Sequence, residues 1–212
     1  MPALGLSEPA AYVVVTTVTA VVWSLLTLGI RIFLRLKVNG PFGLDDAACG
    51  ATTFLGVVNS SLTLYQIHFG LGKHASELSK SAVERAHFWS WLNNMFFVVA
   101  LALSIMSVCF LIARIIALQK KVWVAYGIAI ATGLWAVVSI FFFAFMCRLP
   151  RPWIFAKPAH CIHRWALYAS VDAVKAVLEL ANIAPAGMLC WTLQMPLRPK
   201  IQIVATFSIR LL

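Results

Sequence analysis

Apolar stretches of membrane-crossing length recur five times along this chain, at residues 10–30, 47–67, 88–113, 122–146 and 165–191, and another begins near Ile201. A hydrocarbon core about 30 Å thick takes about 20 apolar residues of α-helix, at about 1.5 Å per residue. Inside it every backbone N–H and C=O must be satisfied by the protein itself, which leaves helices or closed barrels. The stretches lack the two-residue alternation of barrel strands. The expected fold is therefore all-α: a polytopic transmembrane helical bundle of five complete spans plus the start of a sixth. It forms one domain over residues 1–212, without linker, low-complexity tract or repeat.

Composition agrees. The chain is 62% hydrophobic and 11% charged, with a mean hydropathy of +0.89, too little polar surface for a soluble globule. Its net charge of +10 raises the question of nucleic acid. No nucleic-acid motif or basic helix accompanies the charge, whereas cations just beyond apolar spans suit anionic headgroups. The expected partner is the bilayer, not nucleic acid.

The leader MPALGLSEPA lacks Lys and Arg and carries Glu8, so the first span reads as a retained helix, not a cleaved signal. Arg31, Arg35 and Lys37 on its far side place the N-terminus outside and the first loop in the cytosol. The remaining loops barely discriminate: eight cations on the cytosolic side of this plan face seven on the other. Cysteines favour the same orientation. Cys49, Cys109 and Cys190 fall inside spans, but Cys147 and Cys161 share the fourth loop. A bridge between them would close about 15 residues and contribute roughly 3 kcal/mol in the chain-entropy model. Disulfides persist in oxidising compartments, so a bridged loop faces outside; the alternative is two free thiols. The sequon Asn59-Ser60-Ser61 lies within a span, where no glycan is expected.

Loop chemistry sharpens the picture. Gly40-Pro41 and Gly43 are turn formers, and Asp45-Asp46 suit the start of the second helix, where carboxylates complement its dipole. Three prolines in CRLPRPWIFAKPAHCIHR argue against helix in the fourth loop. Trp89, Trp91, Trp123, Trp153, Trp165 and Trp191 sit near span ends, as an aromatic belt requires.

Taken together these segments resemble the fungal rhodopsin-domain family, seven-helix integral membrane proteins of filamentous fungi. The resemblance is carried by RIFLRLKVNGPFGLDD before the second helix, GLGKH after it, Ser107 with Arg114, and Cys147 with Trp153 and Cys161. Pro185, Trp191, Leu193, Gln194 and Lys200 match the family's P…W-x-L-Q…K segment. Where the family commonly has a Lys just before the third-helix serine, this chain has Ile105. Against a seven-helix plan the chain stops inside its sixth helix, which reads as a truncated gene model, a fragment or a degenerate paralogue. No retinal is implied. A Schiff base needs a buried lysine late in the bundle, and the carboxylate neighbours of Lys175 suit an ion pair better. No cofactor is expected.

Polar residues inside spans are the candidate site. Asp172, Lys175, Glu179 and Asn182 recur at offsets of three, four and three, so they share one face of the fifth helix. Ionisable groups at mid-membrane cost at least about 2.5–3.5 kcal/mol on insertion scales and usually face the bundle interior. One reading is a ligand or proton site, with Pro185 kinking the helix beyond it. The other is a Lys175–Glu179 pair that only holds the bundle. Asn59, Asn93, Asn94, Ser104 and Ser107 are candidates to hydrogen-bond across to this stripe.

His68, His74, His87, His160 and His163 fall in or at the edges of the outer loops; their spacing fits no zinc pattern, so solvated loop histidines are expected and no metal. Gly70-Leu71-Gly72-Lys73 lacks the spacing of a phosphate loop. No nucleophile–base–orienter set appears, so no catalytic residue and no enzyme activity is expected. The leading expectation, drawn from the family resemblance, is a receptor-like or sensor protein. Arg114, Lys120, Lys121, Arg198 and Lys200 would meet a cytosolic, G-protein-like partner. A structural or accessory protein and a small proton-coupled carrier are the alternatives.

Overall fold

A computed structural model of the protein describes residues 8–34, 36–37, 43–68, 80–115, 122–147 and 164–192. It holds five helices: α1 (Glu8–Leu34), α2 (Leu44–His68), α3 (Lys80–Ile115), α4 (Val122–Ala144) and α5 (Arg164–Thr192). No strand occurs among the described residues. The stretch expected from Ile201 lies outside them.

α1 is rich in Val and Thr, residues of middling helix propensity. Lipid overrides that preference, because only a helix satisfies its backbone internally. The same demand reaches the side chains. Thr16, Thr19 and Ser24 donate their hydroxyls to carbonyls four residues back at 2.8–2.9 Å, as does Ser61 of α2. They meet the membrane already satisfied.

The helices run alternately up and down. α3 is the axle: it packs against α2, α4 and α5, while α1 lies on α2. With 36 residues α3 is about 54 Å long, more than the bilayer with its headgroups. It begins eight residues before the expected span, because the polar segment KSAVERAH continues the helix where water replaces lipid.

α4 meets α3 through a small-residue face. Ala125, Ala129, Thr132, Ala136 and Ser139, spaced alternately four and three apart, are all buried. Small side chains let membrane helices approach closely, so dispersion can hold them where no hydrophobic effect operates. Val98 and Ala102 of α3, Trp135 and Phe143 of α4, and Leu167 of α5 form the main apolar cluster. Ile105 and Cys109 are fully buried against Ala129.

Large apolar side chains face outward instead, among them Trp23, Leu26 and Ile30 of α1 and Ile130, Leu134 and Phe141 of α4. On a soluble protein this would be an extensive sticky surface; here it is the lipid face. Among the described residues four helices, α1 to α4, are long and apolar enough to cross a membrane. α5 is long enough at 29 residues and differs in carrying four charged residues, Arg164, Asp172, Lys175 and Glu179. The aromatic belt is partly as expected. Trp123 and Trp165 are exposed in the first turns of α4 and α5, whereas Trp89 and Trp91 lie well inside α3 and pack inward.

Candidate functional site

The charged centre of the described bundle is an ionic clamp that ties three helix ends together. Arg31 lies in the last turn of α1, Asp45 and Asp46 in the first turn of α2, and Arg114 in the last turn of α3. Acids at a helix start and bases at helix ends each complement a macrodipole, so local electrostatics favours these types at these places. The up-and-down topology then gathers the three ends on one membrane side.

The geometry is close. Arg31 donates from Nη2 to Asp45 Oδ2 at 2.8 Å and from Nε to Asp46 Oδ1 at 2.9 Å. Arg114 Nη1 donates to Asp45 Oδ1 at 3.2 Å and lies 3.8 Å from Asp46 Oδ2. The Asp45 side chain is only 2% exposed, against 23% for Arg31 and 35% for Arg114. Two carboxylates face two guanidiniums, so burial is offset by pairing and charge-assisted hydrogen bonds. Ser107 adds a third contact between α2 and α3, donating its hydroxyl to the Asp45 carbonyl at 2.9 Å.

Gly43 closes the arrangement. Its N–H donates to Asp46 Oδ2 at 3.2 Å while its carbonyl accepts from Asp46 and Ala47 at 3.1 Å, the returning half of a capping box, since glycine has no side chain to supply the other. A Cβ at Gly43 would run into Asp45 Oδ1 and Arg114 Nη1. The acidic pair starts its helix, as expected, and also does something not expected: it binds two other helices.

The stripe on α5 fares differently. Asn182 is buried and accepts from Cys109 Sγ of α3 at 3.4 Å. Lys175 and Glu179 are half-buried and Asp172 is exposed, and among the described residues none of the three makes an ion pair or hydrogen bond. The Lys175–Glu179 pair offered by the sequence is not formed. Of this face, Tyr168 and Asn182 bond α3, whereas Asp172 between them is exposed.

The polar residues expected to reach that stripe are mostly engaged elsewhere. Asn93 Nδ2 donates to Thr63 Oγ1 at 3.1 Å, and Thr63 in turn donates to the Asn59 carbonyl at 2.9 Å. Asn94 does reach α5, but at Tyr168, whose hydroxyl it bonds at 2.8 Å. Ser107 serves the clamp. At the end of the bundle opposite the clamp, neutral donors dominate: Trp91 Nε1 donates to the Phe143 carbonyl at 2.9 Å and Gln66 Nε2 to the Trp89 carbonyl at 3.3 Å. Tyr65 meets Trp89 edge-to-face with ring centroids 5.2 Å apart.

His87 is a correction. It belongs to α3, half-buried beside Trp91, Asn94 and Tyr168 in a cavity of about 40 Å³, because α3 starts before the expected span. Cys49 and Cys109 are free thiols. Cys147 is buried and is not among them; its expected partner Cys161 lies outside the described residues, as do His74, His160, His163, Lys120, Lys121, Arg198 and Lys200. Arg114, expected to contact a partner, is held in the clamp with part of its side chain exposed.

Sequence reasoning missed the clamp although its signal was present. Arg31, Asp45-Asp46 and Arg114 all fall at the same membrane side on an up-and-down plan.

No curated relative and no solved structure matches this chain. The fungal rhodopsin domain family model matches residues 30–212, which takes in the clamp residues and all of α2 to α5. This protein is an integral membrane protein that belongs to the fungal rhodopsin domain family.

Proposed function

We propose that the protein is a receptor-like sensor whose state is read at the clamped end of the bundle. The observation that supports this is the ionic clamp, which joins α1, α2 and α3 at helix ends that are followed in the sequence by the basic residues Arg35, Lys37, Lys120 and Lys121. Packed bundles are bistable rather than continuously deformable. A ligand that shifts α1 against α3 therefore alters which oxygens the two arginines hold, and frees Arg114 toward the cytosol. In this reading the N-terminus is outside, the membrane is the plasma membrane, a Cys147–Cys161 bridge staples the outer fourth loop, and the basic segments with Arg198 and Lys200 meet a G-protein-like partner.

The test is co-purification of a heterotrimeric G protein with the membrane-embedded chain, with and without a non-hydrolysable guanine nucleotide. Nucleotide-sensitive association that is lost on replacing Lys120 and Lys121 by Ala supports the reading. Association that ignores both the nucleotide and the lysines overturns it.

A proton-coupled carrier is the second reading, favoured by one observation: Glu179 is half-buried in an apolar helix without an ion-pair partner among the described residues. Glu179→Gln then abolishes proton flux in proteoliposomes, and unchanged flux removes the carrier.

A further inference from the structure

A small cavity at the end of the bundle opposite the clamp serves neither reading. His87, Ser90, Trp91 and Asn94 recur at helical spacing along α3 and share one face of it. That face is turned to the junction with α4 and α5. Trp91 Nε1 donates to the Phe143 carbonyl of α4, and Asn94 Nδ2 to the Tyr168 hydroxyl of α5. All five side chains line a cavity of about 40 Å³, whose apolar wall is Phe143 and Met146. A cavity of that size admits water when polar groups line it. These do: among the described residues neither the Ser90 hydroxyl nor Asn94 Oδ1 makes a hydrogen bond.

The cavity abuts the C-terminal end of α4. Phe143 is the last residue but one of that helix, and the last four carbonyls of a helix have no partner within it. Trp91 satisfies one of them. The partial negative charge of such an end favours a cation, and histidine is the side chain that becomes one just below neutral pH. His87 is half-buried and closes the polar segment KSAVERAH, so it stands where water meets the bundle. The other ionisable groups at this end complement it or stand apart. Glu84 is half-buried one turn back on α3, while Arg85 is exposed and donates to the Ser81 carbonyl. α5 contributes the Tyr168 phenol, and α4 only Phe143 and Met146. Lys80, Arg164 and His68 occupy the first or last positions of their helices.

We propose that His87 is a proton-binding site that latches α3 to the end of α4. A neutral imidazole carries one N–H, whereas the imidazolium carries two and a positive charge. The added donor finds acceptors in the cavity, at Ser90 Oγ, Asn94 Oδ1 and water. The added charge meets the carbonyl end of α4 and the carboxylate of Glu84. Acid therefore tightens the three-helix junction, acting through the face that already carries the Trp91 and Asn94 bonds.

The experiment uses the full chain in nanodiscs with isotope-labelled histidine and tryptophan, followed by NMR from about pH 8 to about pH 5, the range that brackets imidazole titration. The His87 and Trp91 signals are those lost in His87→Gln and Trp91→Phe. One transition is expected, common to the His87 ring and the Trp91 indole N–H, while the indole of Trp123 at the opposite end stays still. His87→Gln should abolish the Trp91 response. Ser90→Asp, which sets a carboxylate in the cavity, should raise the midpoint by about one pH unit. Should one variant not fold, the wild-type titration and the other variant decide. Four results would each overturn the proposal: a His87 ring that does not titrate in this range, a Trp91 indole that does not follow it, a Trp91 response that survives His87→Gln, or a midpoint that ignores Ser90→Asp. The titration involves neither a guanine nucleotide nor flux across the membrane, so it stands or falls separately from both readings above.

Discussion

The clamp and the α5 stripe are built from the same chemistry, carboxylates and cations at membrane-embedded helix positions, yet they end in opposite states. Asp45 and Asp46 come from one helix and find their cations on two others, so each bond joins separate parts of the chain. Asp172, Lys175 and Glu179 share one helix, and the interval that makes them neighbours did not make them partners. The difference teaches that a periodic polar stripe reports a helical face, whereas a charge network that holds a bundle is found at helix ends brought together by topology. A buried network unites helices only when its members are far apart in sequence.

Four measurements would break or sharpen that contrast. The largest effect is expected from Asp45→Asn. It removes the charge held by both arginines, and breaking a buried ion pair costs roughly 3–5 kcal/mol. Thermal unfolding of the nanodisc-embedded protein should show the largest drop in midpoint of any substitution named here, and an unmoved midpoint would deny Asp45 its central place. Next comes a pair of double-mutant cycles read by unfolding. Arg31→Met with Asp46→Leu should return a coupling of about 1–3 kcal/mol, whereas Lys175→Met with Glu179→Leu should return one within about 0.5 kcal/mol of zero. Equal couplings would erase the distinction between the two regions.

Gly43→Ala tests the crowding around the clamp. Overpacking costs typically about 1–3 kcal/mol, and an Arg114→Ala background should relieve most of it by emptying the space the methyl enters. A cost that persists undiminished in that background would place the strain in the backbone instead. The smallest effect is expected from Asn182→Leu, which removes the contact to Cys109. Interhelical polar contacts in membranes average about 0.6 kcal/mol, so a shift near the limit of measurement is expected, and a loss rivalling that of Asp45→Asn would make α5 the true anchor.

Much of the fold was legible because lipid allows so few answers. Apolar length gave α1, α2 and α4 to within four residues at each end, and hydroxyls inside spans found their own carbonyls, as a helix in hydrocarbon requires. The start of α3 was not legible. Hydropathy falls at Lys80–His87 but helix does not, since water can take over from lipid without changing the backbone. The stripe on α5 was visible as a face, and Asn182 does point inward, but rotation about the helix axis set Asp172 outside.

The sequence by itself determined the solvent, the number and approximate ends of the described helices, and the residue types at each end. These follow from local rules: apolar length, dipole-matched charges and capping. Only the tertiary structure decided that Arg31 and Arg114 share one acidic pair, that Asn94 reaches Tyr168 while Asn93 reaches Thr63, and that His87 lines a cavity shared by three helices. Those outcomes depend on how helices rotate and tilt against one another, which is set by the packing of small residues across interfaces rather than by any spacing within a single helix.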